Sequence, residues 1–255
     1  MTQSPRATAA EIKISFAGAE AGAAFDALEL DREEGRSRVI HFWDRPRKSA
    51  GAGILLPLLE EGLILRLRRD REAPGSKRKA DLTVKLRPCP MVPPRWQRER
   101  EEEDWEFRIE EDRAGPSFTP VLAASLEAER KFGAALDAER GALDGLLIEP
   151  QLDLLEAAGA GVDDLDGLVA LGPVHAVRWK QDDWDEVPGS VAIEEWTTAG
   201  ELRFLEVSVR ADLAEAAPVQ DLLAEALRER GLTPPQSGET KTRAVLTALA
   251  RDRLR

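Results

Sequence analysis

The stretch Leu58–Arg69, LLEEGLILRLRR, decides the reading of this chain. From Leu63 onward apolar and charged residues alternate, the period of a β-strand, in which successive side chains point to opposite faces. Arg66 and Arg68 therefore share one face, and Leu65 and Leu67 share the other.

Working outward, the alternation recurs in EIKISF (11–16), RVIHFWD (38–44), DLTVKLR (81–87), WEFRIEED (105–112), PVHAVRWKQ (173–181), SVAIEEWTT (190–198) and LRFLEVSVR (202–210), which makes eight strands in all. Turn-forming stretches separate them: DREEGR near Gly35, EAPGSK near Gly75, RPCPMVPPR after Arg87, and VPGS. The last two strands read as a hairpin about Gly200. Between the two groups the chain is rich in Ala, Leu and Glu. Leu122, Leu126, Phe132 and Leu136 fall on one helical face, predicting a helix over 119–141 inside a helical segment of about 119–160. The tail, about 218–255, reads as two helices, the first capped at Gly231. Strands, helices, strands, helices is an α+β order with an antiparallel sheet, and residues 1–255 read as a single domain.

Length and composition bound the function. A chain of 255 residues, 42% hydrophobic and 33% charged, is long enough to bury a sizeable core. It has no apolar run of membrane-spanning length and no signal-peptide pattern. Cys89 is the only cysteine, which excludes an intramolecular disulfide and a multi-cysteine zinc site and makes a cytoplasmic location the default. The net charge of −12 argues against broad binding to nucleic acid or anionic membranes, and it suits a monomer or homodimer.

The charge on the strand faces runs the other way. Lys85 and Arg87 oppose Val84 and Leu86, and Arg108 and Glu110 oppose Phe107 and Ile109. Arg178 and Lys180 oppose Val177 and Trp179, while Glu206, Ser208 and Arg210 oppose Leu205, Val207 and Val209. Glu11 and Lys13 oppose Ile12 and Ile14. The plain alternative is a set of sheets with one wet face. Yet a chain with 48 acidic and 36 basic residues places nine bases against three acids on these faces. Like charges on neighbouring strands repel. An anion with several oxygens would hold several Arg and Lys donors together. Closing the sheet with this face inward predicts a basic tunnel in an acidic protein.

In their order these motifs resemble the CYTH, or triphosphate tunnel, family, which includes thiamine triphosphatases, inorganic triphosphatases and class IV adenylate cyclases. AEIKISF resembles the opening ExExK strand, VIHFWDRP the aromatic-aspartate-x-proline segment, and LLEEGLILRLRR the LRxR signature. DLTVKLR, FRIEED and ELRFLEVSVR resemble the later TLK-type, Arg/Glu and ExE strands. The resemblance implies a closed antiparallel eight-stranded β-tunnel with flanking helices. It implies that the tunnel binds a triphosphate, polyphosphate or nucleotide anion through Lys13, Arg66, Arg68, Lys85, Arg87, Arg108, Arg178 and Lys180, with Lys241 as a further candidate. It also implies Mg²⁺ or Mn²⁺ held by glutamates, of which Glu11 and Glu206 are retained and Glu110 is added as a third ligand if it points inward, with Glu11, Glu206 and Lys13 as the catalytic set of a metal-dependent triphosphatase.

The metal side departs from the family pattern. Ala9 stands where the first early glutamate belongs, and Ser208 where the second late one does; Glu110 and Glu194 or Glu195 would have to face inward to compensate. A catalytically inactive module that binds polyphosphate, nucleotide or a partner is therefore the alternative, and a scaffold whose helices carry the interaction is a third. The remaining candidates are weak. His41 and His175 lack the spacing of a transition-metal site, Cys89 has no adjacent base, and no P-loop sequence exists. Trp43 and Trp179 are expected to pack outward under helices.

Overall fold

The computed structural model describes the chain except residues 1–4, 50, 52, 72–78, 115–119, 140–142, 144, 161–164, 183, 201 and 236–239. The alternating rows form β1 (Ala9–Ala17), β2 (Arg36–Asp44), β3 (Arg47–Ser49), β4 (Gly53–Leu55), β5 (Leu63–Asp70), β6 (Ala80–Leu86), β7 (Arg100–Glu101), β8 (Trp105–Ala114), β9 (Val121–Arg130), β10 (Val169–Gln181), β11 (Val191–Thr198) and β12 (Arg203–Asp212). The helices are α1 (Ala19–Ala27), α2 (Pro57–Glu60), α3 (Phe132–Ala138), α4 (Glu149–Ala157), α5 (Ala216–Glu229) and α6 (Lys241–Arg253). The turn expected near Gly75 lies outside the described residues, as does Thr119, the expected start of the central helix. Among the described residues no helix is long and apolar enough to cross a membrane.

Nine strands close into a barrel in the order β1-β12-β11-β10-β2-β5-β6-β9-β8, and β8 returns to β1. The expectation of eight antiparallel strands is corrected here, because β9 is a strand where the sequence reads as helix. An odd ring cannot alternate direction all the way round. One pair must be parallel, and that pair is β1–β8, with Glu11 opposite Asp112. The spacing of Leu122 and Leu126 satisfies a helical face, but it also satisfies every second residue of a strand. The β9 side chains Ala124, Leu126 and Ala128 bury against Leu86, Val84 and Leu82 of β6 in register, so tertiary pairing overrides the helix preference of Ala and Glu. The helical reading holds beyond it, at α3 and α4.

The barrel has an apolar outer face and a polar inner one. Helices α3 and α4 cover β5, β6, β8 and β9 through Ala135, Ala138, Leu154 and Leu155. Helices α1 and α5 cover β1, β11 and β12, where Ile12, Val207 and Ile193 meet Ala24, Leu223 and Leu227. Trp43 and Trp179 pack outward in these two layers, as the parity predicts. A third cluster lies inside. Ile40 and Phe42 share the inner face with Arg68 and Arg66 in register, and α6 packs Val245, Leu246 and Ala250 onto them. The terminal helix therefore stoppers one end of the barrel.

Candidate functional site

The inner faces and the start of α6 enclose a cavity of about 530 Å³. Its polar lining comes from the rows read in the sequence: Arg66 and Arg68 of β5, Lys85 of β6, Glu11 and Lys13 of β1, Glu206 and Arg210 of β12. Arg87, just past β6, is placed by Gly62. That glycine adopts φ +80°, a Cβ on it would stand 3.0 Å from the Arg87 carbonyl oxygen, and its own carbonyl accepts from Arg87 N–H at 2.7 Å.

Seven of the eight expected phosphate-binding residues line the cavity, Arg108 and Arg178 among them. Lys180 does not. It lies one residue from the end of β10, 68% exposed, and pairs with Asp182 at 3.5 Å in solvent. The lining is also less one-sided than expected: ten Arg and Lys residues face seven carboxylates among the described residues. Glu106 and Asp112 are missed by the sequence reading, although strand parity puts them on the same row of β8 as Arg108 and Glu110. Glu194 shares its face with Arg178 across the β10–β11 pairing. Glu127 was hidden by the helical reading of β9. Glu195 faces outward, held by Arg32 and Arg203 at 2.7 Å each.

The carboxylates divide the cations into groups. Asp112, buried on β8, takes Arg87 at 2.7 Å, Lys85 at 2.9 Å and Lys13 at 3.1 Å. Burial alone would raise its pKa, but these three cations hold it well below the usual carboxylate range. Burial pushes Lys13 down, and Asp112, Glu11 and Glu206 together outweigh it, so the ammonium stays charged. Arg68 is clamped by Asp81, at 2.8 Å, and by Glu127. Glu194 is held down to about 2, since Lys241, Arg68 and Arg66 overcome its burial.

Arg66 stands apart. Among the described residues its Nε is buried without a partner, and its Nη2 meets Thr83 Oγ1 at 3.4 Å. Burial and the neighbouring Arg68 both push its pKa below the ordinary value.

The expected metal ligands do not converge. Glu11 meets Lys13 Nζ at 2.5 Å, Glu110 meets Arg210 Nε at 2.9 Å, and Glu206 meets Lys241 Nζ at 2.9 Å. Burial and the charge of Glu11 raise the Glu110 pKa. Among the described residues no three His, Cys, Asp or Glu side chains form a metal-holding group. Ser208 gives its hydroxyl to the Ala192 carbonyl at 3.4 Å. The residues present do not fit Mg²⁺ or Mn²⁺.

The other candidates lie outside the cavity lining. His41 is buried on the outer face, its Nδ1 3.5 Å from Glu139. His175 is exposed. Burial pushes the Cys89 thiol up to about 11, away from reactivity.

No protein-family model and no curated protein sequence matches the chain. Among solved structures, a protein from Bacillus halodurans described provisionally as an adenylate cyclase is similar over 93% of this chain and 97% of its own, with a TM-score of 0.57 at 12% identity. The PH1819 protein from Pyrococcus horikoshii is similar over 89% of this chain and 94% of its own, with a TM-score of 0.41 at 15% identity. The Bacillus likeness shows the fold alone, a closed β-barrel with helices packed on it.

Proposed function

We propose that the tunnel binds a linear polyphosphate-type anion, a triphosphate or the triphosphate chain of a nucleotide, with Arg66 as its anchor. One observation carries this reading: a guanidinium lining the cavity, beside a second guanidinium, with a buried Nε that no group among the described residues satisfies. A buried N–H donor left without an acceptor costs about 1–3 kcal/mol, and an anion offering oxygens along its length would remove that cost at Arg66 Nε while drawing on Arg178 and Lys85. The cavity of about 530 Å³ falls in the range of ordinary small-molecule pockets. A chain of phosphates suits this lining better than a single phosphate, because its cations are spread over several strands.

Calorimetry with inorganic tripolyphosphate, pyrophosphate and phosphate tests the reading. The expected order of affinity follows chain length, and Arg66→Gln weakens tripolyphosphate binding by about 10-fold or more, the size of a lost charge-assisted hydrogen bond. Equal affinity in wild type and variant would remove the tunnel as the binding site. Phosphate release measured in the same samples separates a hydrolase from a binding module.

A further inference from the structure

We propose that the Lys241 ammonium is the resident cation of this tunnel, occupying the place between Glu194 and Glu206 that a divalent ion would need. Glu194 and Glu206 are register partners on β11 and β12, so their carboxylates stand side by side and repel. Lys241 Nζ lies 3.2 Å from Glu194 Oε2 and 2.9 Å from Glu206 Oε1, and its side chain is 5% exposed. It also lies 3.9 Å from the centroid of the Trp196 ring, so a third group fixes the same ammonium.

This lysine is not a loose surface residue that happens to fold inward. It opens α6, whose Val245, Leu246 and Ala250 are packed inside the barrel, and Thr240 caps the helix by accepting from Arg243 N–H at 3.4 Å. A hard divalent ion binds carboxylate oxygens at about 2.0–2.6 Å and wants several of them. Here both carboxylates are already turned to the ammonium, Glu206 also accepts from Ser15 at 2.8 Å, and the next inward position on β12 is Ser208. Resting on the anion reading above, the consequence is that a polyphosphate-type ligand is held by the protein's own cations, with no metal bridging it to the wall.

Thermal unfolding of the full chain in millimolar MnCl₂, against KCl of equal ionic strength, tests the assignment. The wild-type midpoint should be the same in both salts. Lys241→Met, which leaves two carboxylates unneutralised, should melt lower in KCl and recover by roughly 5 °C in MnCl₂, as a cation-binding native state requires. A wild-type midpoint that rises with Mn²⁺ as the variant's does overturns the proposal, and so does a folded variant indifferent to Mn²⁺. Lys241→Gln gives the same comparison if the methionine variant does not fold, and the wild-type arm stands without either. Calorimetry of wild type with tripolyphosphate in EDTA completes the test. Binding that appears only with Mn²⁺ overturns this inference and leaves the anion reading in place. Absence of binding in both buffers sinks the anion reading, while the melting data still decide the role of Lys241.

Discussion

Asp112 holds Arg87 Nε at 2.7 Å, and it is the same carboxylate that holds Lys85 at 2.9 Å and Lys13 at 3.1 Å. One buried anion on β8 thus organises three cations, Lys85 and Arg87 from β6 and the residue just past it, and Lys13 from β1. A ligand phosphate reaching those cations has to compete with it.

Asp112→Asn removes that competitor without changing the side-chain shape. The three cations then repel one another, and loss of one partner from a buried ion cluster costs about 3 kcal/mol. Urea unfolding without ligand should show that loss. Tripolyphosphate should bind the variant more tightly than wild type, by about 10-fold, and restore much of the stability. Weaker binding in Asp112→Asn would mean that Asp112 orients the donors for the ligand instead of standing in for it.

The pH profile follows from the sign of the lumen shifts. Asp112, Glu127, Glu194 and Glu206 all ionise more readily in the fold than ordinary carboxylates. Such groups stabilise the fold fully above the unfolded-state pKa of roughly 4, and the contribution is lost as pH falls through the folded value. For Glu194 the folded value is about 2, so protonation through that window removes on the order of 3 kcal/mol. Glu110 acts in the opposite sense, because its pKa is raised, but it is one group against four. The urea midpoint should therefore fall steeply between about pH 4.5 and pH 2. Glu194→Gln should begin lower at neutral pH and fall less. A flat profile in wild type would contradict the ion network.

Much of this site was legible because a barrel wall obeys parity. Once Leu65 and Leu67 were placed in the core, Arg66 and Arg68 had to share the opposite face, and both line the cavity. Two features were not legible, for different reasons. Residues 121–130 carry good helix formers at spacings that suit both periods, and what decides between them is the gap between β6 and β8, supplied by segments far away in the chain. Lys241 follows Glu206 by 35 positions on a different element, and although the resemblance offers it as a candidate for the anion, no local pattern places it between Glu194 and Glu206. The ion pairs that subdivide the lumen depend on which strands become neighbours, which strand patterns alone do not state.

Ala128 tests the β9 assignment directly. A helix with Leu122 and Leu126 on its buried face would leave position 128 near the opposite side, where glutamate is harmless. In the barrel Ala128 is fully buried between Leu82 of β6 and Trp105 of β8. Ala128→Glu should thus cost about 3 kcal/mol or more, through an unpaired buried charge, whereas Glu129→Ala, at an exposed position, should change stability by less than about 0.5 kcal/mol. Urea unfolding of the two variants decides it, and an innocuous Ala128→Glu would be incompatible with a ninth strand.

Gly62 sets the backbone that delivers Arg87 to Asp112, and its requirement for glycine has two separable parts. The first is conformational: φ is +80°, a region that costs an L-residue about 1–2 kcal/mol. The second is contact, since a Cβ there would stand 3.0 Å from the Arg87 carbonyl oxygen, an atom with little room to yield. Gly53 provides the control, with φ +77° and nothing within 4 Å of a built Cβ. Gly53→Ala should show the conformational cost alone. Gly62→Ala should cost about 1 kcal/mol more than Gly53→Ala, and it should also weaken tripolyphosphate binding, because relief of the contact displaces Arg87 from the cavity wall. Equal destabilisation of the two variants, with ligand affinity unchanged, would show that Gly62 serves the turn alone and that Arg87 is positioned from elsewhere.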